Sequence, residues 1–499
     1  MKHWLNSAAL VAVLLAAPAF AQDKPATEKP APVQVVVPQV VTTKMSGTFG
    51  GQRVPFTATM AETILKTEDG TPRAAIVTTA YVREPRDAAR PVTFLFNSGP
   101  GSGSVWLQMG AFGPKRVVIP GDGRDDGAPP YPLVDNPDSL LDVTDLVFID
   151  PPGTGFSHLI GKTDPKEFYG VTADAKAVAE VIRLWLNNHG RWASPKYLGG
   201  ESYGTTRSAA VANQLMNATY NDVALNGIIL ISTVLDFAAG SDTPGNELSY
   251  ITNLPSMAAA ALFHNKAQGA SVTAFVDEAR RFAIGPYATA LLQGQALPAD
   301  QLASIRTQLA RFTGLSEPYL ERADLRVTPD RFYKELLRDR GLTIGRLDAR
   351  YTGKDYDNAG ETYDNDPSFY GIDAGYTAAI NMWSRNGMGW KSDREYQSIG
   401  NVGRDWDWRI GGRDTNAYLN VTPYLGTALR ENSGLKLFVA QGYYDFATPF
   451  FAAEYALTRT GIPQDRVQFH YYDSGHMMYV REDDRRKLSN DVRQFIRSR

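Results

Sequence analysis

The chain has no cysteine. Disulfides and a lipid anchor on an N-terminal cysteine are thereby excluded, and stability must come from a hydrophobic core. With 499 residues there is enough chain to build one. Histidine is also scarce, six in all, so with no cysteine a structural zinc site is not expected. No charge of one sign dominates. Lys and Arg number 51 against 54 Asp and Glu, a net charge of −3, so the basic footprint of a nucleic-acid binder is missing. Beyond the first twenty residues no apolar run approaches the ~20 residues that span a bilayer. No internal repeat is visible.

The start of the chain has a recognisable pattern. Lys2 precedes an apolar run, Ala8 to Ala17, and then Pro18-Ala-Phe-Ala21. A charged start, a short apolar core and an A-x-A-like site predict a secretory signal over 1–21, cleaved after Ala21. The expectation is an exported protein, periplasmic or secreted, with no membrane anchor after cleavage. Residues 22–45 begin Pro-rich and are expected to form a loose segment.

From there the pattern is that of an α/β protein. Val92–Phe96 and Leu146–Ile149 are continuous apolar runs of the kind found in sheets buried on both faces. Val54–Ala58 and Ala74–Val82 suit an antiparallel opening to the sheet. Val171 to Gly190 reads as a helix, with Val178, Val181, Ile182, Trp185 and Leu186 on one face, Thr172 as its cap and Gly190 as its stop. Lys196–Leu198 and Leu225–Thr233 continue the sheet. Over 236–400 strand signals are scarce, and a mostly helical lid inserted between strands is predicted. One of its helices carries Leu302, Ile305, Leu309 and Phe312 and ends at Gly314; another starts at Thr328-Pro329. Leu435–Ala440 and Val467–Tyr472 resume the sheet, and a last helix covers about Asp484 to Ile496. The expected organisation is a core over 46–235 and 401–499 around the insertion, with a mostly parallel sheet and helices on both faces.

Gly200-Glu-Ser-Tyr-Gly204 follows the Lys196–Leu198 strand. G-x-S-x-G suits a sharp strand-to-helix turn that lifts a serine hydroxyl above the sheet, where it can attack a carbonyl. Such a serine needs a base, an acid to orient the base and donors for an oxyanion. Asp445 and His476 each lie just past a predicted strand. The order Ser202, Asp445, His476 is that of an α/β-hydrolase triad. Asp473 is a rival acid, three residues from His476, too near to come from the preceding strand's loop. The loop Asn97-Ser-Gly-Pro-Gly101 follows the strand Val92–Phe96, so the N–H groups of Gly99 and Tyr203 are the natural oxyanion donors. Two other readings were weighed. Gly99-x-Gly101-x-x-Ser104 lacks the third glycine of a dinucleotide loop, and the acidic run Asp355-Tyr-Asp357 to Asp366 has Ala359 at the fifth and Asp at the twelfth position of a calcium loop, so a solvated acidic loop is the reading. No cofactor and no metal are expected.

Asn97-Ser-Gly-Pro-Gly101, Asp150-Pro-Pro-Gly-Thr-Gly-Phe-Ser157, Gly200-Glu-Ser-Tyr-Gly204 and Gly475-His-Met477 together resemble the serine carboxypeptidase family. Its patterns are N-G-G-P-G, V-G-T-G-F-S, G-E-S-Y-A-G and G-H-M. The resemblance implies an α/β-hydrolase that cleaves the last residue from peptides with a free C-terminus. It implies Ser202 as nucleophile, His476 as base, Asp445 as its orienter, and Gly99 and Tyr203 as oxyanion donors. It further implies that Asn97 and Glu201 hydrogen-bond the substrate's terminal carboxylate. Glu201 must then carry a proton, which predicts better peptide hydrolysis in acid. The chain departs from the pattern at Ser98, in place of the second glycine, and at Ala111, where the family usually has a Glu supporting the carboxylate-binding one. The family's disulfides are absent. A secreted esterase or acyltransferase on the same triad, and a catalytically silent binding protein on the same fold, are the alternatives. Oligomeric state is not legible.

Overall fold

A computed structural model describes residues 36–217, 221–410, 418–459 and 461–498. The predicted signal, 1–21, and residues 22–35 lie outside these. Strand structure starts earlier than the Pro-rich composition suggests. Val40–Phe49 (β1) pairs antiparallel with Gln52–Lys66 (β2) along its whole length, from Val40 opposite Ala61 to Phe49 opposite Gln52. The end of the segment expected to be loose is therefore a strand. The Val and Thr residues of β1 suit a pleated, half-buried edge, a preference that the nearby prolines mask in composition.

Seven further strands complete the path of the main sheet. They are Pro72–Arg83 (β3), Val92–Phe96 (β4), Asp145–Ile149 (β5), Lys196–Ser202 (β6), Gly227–Thr233 (β7), Lys436–Gly442 (β8) and Val467–Tyr472 (β9). Their order is β1-β2-β3-β5-β4-β6-β7-β8-β9, and the short strand His158–Leu159 pairs with β3 off this path. β1, β2, β3 and β5 pair antiparallel in sequence, while β5 to β9 run parallel. The central parallel strands are buried on both faces, and only the edge strand β9 is half-exposed. Every residue of β4, β5 and β7 is buried, and successive side chains alternate between two cores. Phe94, Phe96, Ile228 and Leu230 join one core, with helices Val171–His189 (α1) and Tyr203–Met216 (α2). Leu95, Ile229 and Ile231 join the other, with the turn 107–112 and the last helix, Glu482–Arg497.

α1 ends at Gly190 in the left-handed conformation, but Thr172 does not cap it. The helix starts one residue earlier, at Val171, with Gly170 before it and no side-chain cap. Thr328 does cap its helix, accepting from Arg331 N with Pro329 at the first helical position. Residues 236–400 carry helices such as Glu247–Phe263, Val272–Phe282 and Ala299–Thr313, together with a two-stranded pair, Thr343–Ile344 and Thr352–Gly353. They share a third core built on Phe275, Phe282, Phe312 and Phe332, and this core also takes in Tyr443, Tyr444, Phe446 and Phe450 from just after β8. The insertion is thus packed onto the loop that carries Asp445. Among the described residues no helix is long and apolar enough to cross a membrane. Leu230→Ala in the centre of β7 removes a fully buried side chain; a loss of about 2–5 kcal/mol is expected, read from the midpoint of chemical denaturation.

Candidate active site

Ser202 ends β6 and precedes α2 with φ 58° and ψ −126°, a backbone region that costs a residue with a side chain ~1–3 kcal/mol. The surroundings enforce it. A Cβ on Gly200 would stand 2.0 Å from Gly204 O, so position 200 must be glycine for the strand to turn this tightly into the helix. Thr205 Oγ1 donates to Ser202 O at 2.6 Å and closes the first turn. The serine is left half-buried at the C-terminal edge of the parallel strands, between two buried neighbours, Glu201 and Tyr203.

The loop after β4 lies beside it. Its left-handed positions are Gly99 and Gly101, with φ of 113° and 115°, and Ser98 is not among them. A serine at 98 is therefore no obstacle to the loop. Two buried acids hold this loop in place. Asp150 Oδ1, at the end of β5, accepts from Ser104 N and Ser104 Oγ, both at 2.8 Å. Arg207 of α2 donates to Asn97 O at 2.7 Å and to Asp174 of α1 at 2.6 Å. That bond explains the burial of Asp174, in the first turn of α1.

Asp445 and His476 meet as expected from their order. His476 Nδ1 lies 2.8 Å from Asp445 Oδ2, both buried, and Asp473 is not a partner. Donation from Nδ1–H to the carboxylate is the assignment this geometry supports. The carboxylate is itself fixed, because Ala447 N and Thr448 N donate to Oδ1 and Thr448 Oγ1 donates to Oδ2 at 2.7 Å. Thr448 was not read from the sequence; its spacing, three residues after the acid, was the available signal. His476 and Ser202 line one cavity of about 320 Å³ without a hydrogen bond between them. Such contacts tighten when substrate enters. The remaining histidines among the described residues lie elsewhere: His158, His189 and His264 face backbone carbonyls and His470 faces Asp491.

Glu201 and Asn97 do not share one situation. Glu201 lines the 320 Å³ cavity, while Asn97 lines neither that cavity nor its neighbour. Asn97 is wholly buried, with Nδ2 donating to Glu201 Oε1 at 3.2 Å and Oδ1 accepting from Leu107 N at 3.0 Å. The other oxygen of Glu201 accepts from Tyr479 OH at 2.6 Å. Tyr479 occupies the space beside Ala111: a Cβ on Gly110 would lie 2.6 Å from its ring. The support expected from a Glu at 111 comes instead from a phenol on the His476 loop. Local sequence contains no sign of this, since residues 111 and 479 are brought together only by the fold. Burial pushes the Glu201 carboxyl up to about 7, against the pull of His476, Tyr479 and Asn97. For His476, burial favours the neutral ring, but Asp445 and then Glu201 outweigh it, and its pKa is raised from 6.5.

Residues 346–349 of the insertion join the two loops. Arg346 O accepts from Phe446 N, Leu347 O from His476 N at 2.7 Å, and Ala349 N donates to Tyr444 O. Asp348 Oδ2 accepts from Gly475 N at 3.0 Å. Asp355, weighed above as a calcium ligand, is occupied by Lys334 and Thr343.

Comparison with known proteins agrees with the resemblance. The family model for serine carboxypeptidase matches residues 80–274, the stretch that holds the Asn97–Gly101 loop and the elbow. Serine carboxypeptidase-like 16 of Arabidopsis thaliana is 32% identical over 111 residues, 21% of this chain and 25% of that protein. The chain thus spans about a quarter of the length of the curated relative it matches. Among solved structures, an esterase from Rhodococcus is similar at 14% identity and TM-score 0.34, over 88% of this chain and 98% of that one. A soluble variant of monoglyceride lipase from Saccharomyces cerevisiae is similar at 10% identity and TM-score 0.35, over 94% and 97%. The family match, the sheet topology and the strand-to-helix elbow make the protein a serine hydrolase with the α/β-hydrolase fold.

Two outcomes follow. Gly200→Ala forces a backbone clash and should cost about 3 kcal/mol or prevent folding, measured by thermal and denaturant unfolding. Glu201→Gln removes an anion that holds the proton on His476. The acid limb of kcat/KM for a neutral ester should therefore move to lower pH, and Tyr479→Phe, which leaves the carboxyl easier to protonate, should move it the same way by less.

Proposed function

On this serine-hydrolase scaffold we propose that the protein is a serine-type carboxypeptidase, which hydrolyses the last peptide bond of peptides with a free C-terminus. The supporting observation is Glu201, a buried carboxyl beside the nucleophile that faces the same cavity as His476. A carboxyl in that place meets the residue that leaves, and an ordinary esterase has no need of one.

In this reading Ser202 Oγ attacks the scissile carbonyl while His476 takes its proton. The oxyanion is held by the N–H groups of Gly99 and Tyr203, and Asp445 keeps the ring oriented and stabilises its charge. His476 then protonates the departing amine. Water, deprotonated by the same ring, releases the shortened peptide from the acyl-enzyme. The ring must be neutral to begin, and its pKa is raised, so activity falls as pH drops through that value. A proton on Glu201, which lets it donate to a carboxylate, is retained below about 7. The two requirements oppose each other, so peptide hydrolysis of this kind falls off on both the acid and the alkaline side. The chain's start is read as an export signal, which would make the working compartment periplasmic or extracellular.

Ala111 and the inward-turned Asn97 favour a second reading, an esterase or acyltransferase on the same triad. A blocked dipeptide, its C-terminal amide and a simple ester separate the two. Preference for the free acid is expected; ester turnover with no dipeptide cleavage would overturn the carboxypeptidase reading. Ser202→Ala should abolish turnover and labelling by a fluorophosphonate, and Asp445→Asn should lower kcat by about 10⁴-fold.

A further inference from the structure

Two cavities meet at Ser202. One, of about 320 Å³, includes Glu201, Trp106 and Phe369; the other, of about 370 Å³, includes Tyr203 and Phe237. Their shared lining is Gly99, Ser202, Arg346 and Ala447, so a substrate with its scissile bond at Ser202 has one half in each. Arg346 is the only charged residue in that shared wall. It is exposed, and its guanidinium makes no hydrogen bond or ion pair among the described residues. Its backbone, in contrast, is held on both sides: Arg346 N donates to Asp366 Oδ1 at 3.0 Å and Arg346 O accepts from Phe446 N at 3.1 Å.

Asp330 is attracted to Arg346 through space without bonding to it, and two other acids nearby are hydrogen-bonded. Asp366 lines the first cavity, but its carboxylate accepts from Arg346 N, Leu347 N, Ser368 N and Ser368 Oγ. Glu201 is tied to Asn97 and Tyr479. Of the pair the resemblance implied, Glu201 lines the cavity, while Asn97 is buried and bonded to Glu201. A substrate carboxylate would meet two acidic groups, Glu201 and the hydrogen-bonded Asp366, and one cation, Arg346, whose guanidinium has no hydrogen-bond or ion-pair partner among the described residues and whose backbone is held on both sides. A guanidinium binds a carboxylate through two parallel N–H···O bonds, and needs no acid to do so.

Resting on the carboxypeptidase reading above, we propose that Arg346 is a further residue that recognises the substrate's terminal carboxylate, in the cavity that also holds Glu201. The insertion then supplies specificity as well as cover. The arginine adds a charge-assisted contact to the donor that a protonated Glu201 supplies.

The test compares wild type with Arg346→Gln and Arg346→Lys on a blocked dipeptide, its C-terminal amide, a blocked dipeptide amide ending in Glu, and two aryl esters, one carrying a carboxylate on its leaving group and one neutral. For the free acid, Arg346→Gln should raise KM and lower kcat/KM by about 10- to 100-fold, with a loss on the amide at least tenfold smaller, and Arg346→Lys should recover part of it. Equal losses on acid and amide, or no loss on the acid, would overturn the proposal. A loss confined to the Glu-ending amide would overturn it too, since the arginine would then read a side chain. If wild type cleaves esters but no peptide, the carboxypeptidase reading falls by itself; the carboxylate-bearing and neutral esters then decide on Arg346 alone, with an equal effect on both counting against it. Unchanged melting of both variants is expected, and distinguishes lost recognition from lost structure.

Discussion

The backbone at Ser202 is the constraint around which the rest is arranged. A residue with a side chain is held at φ 58° where a relaxed chain would not stay, and this happens only because strand and helix on either side are both committed. β6 is paired on both edges, to β4 and β7. α2 is pinned by Arg207 to α1 and to the carbonyl of Asn97. Gly200 allows the approach of Gly204 that any other residue would block. The same bonds that hold the strained turn also hold the loop beside it, so Ser202 and the Gly99 backbone are positioned by one set of contacts.

Charge is the second organising factor. Asp445, His476 and Glu201 are all buried within a few residues' reach of one another, and each has its own hydrogen-bonded support: Thr448, the Asp445 carboxylate, and Tyr479 with Asn97. Burial makes every one of these charges expensive, and the donors around the acids decide where protons reside. The 346–349 segment contributes differently, by bonding through its backbone to both the acid loop and the base loop. The helical insertion is therefore bonded directly to the loops that carry Asp445 and His476.

Much of this was legible in one dimension. The apolar runs at Val92–Phe96 and Gly227–Thr233, the periodicity of α1 with its stop at Gly190, and the Thr328-Pro329 helix start are local signals, and local physics settles them. The strand Val40–Phe49 was not legible, because its pairing partner, β2, supplies the reason for its form while nearby prolines dominate its composition. Thr172 has a capping residue's chemistry, but the helix begins before it. Ala111 read as a missing support because the replacement, Tyr479, lies 368 positions away along a chain that only folding brings back.

The order Ser202, Asp445, His476, each after a strand, follows from the sequence alone, because strands, turns and the elbow's glycines are dictated by short-range sterics and periodicity. The balance of charge around them does not. Whether Glu201 faces substrate, whether Asn97 turns inward, and which cation is left unpaired at the junction of the two cavities depend on burial and on contacts between distant segments. Those are properties of the packed interior, where removing water makes each hydrogen bond count, and no stretch of sequence contains them by itself.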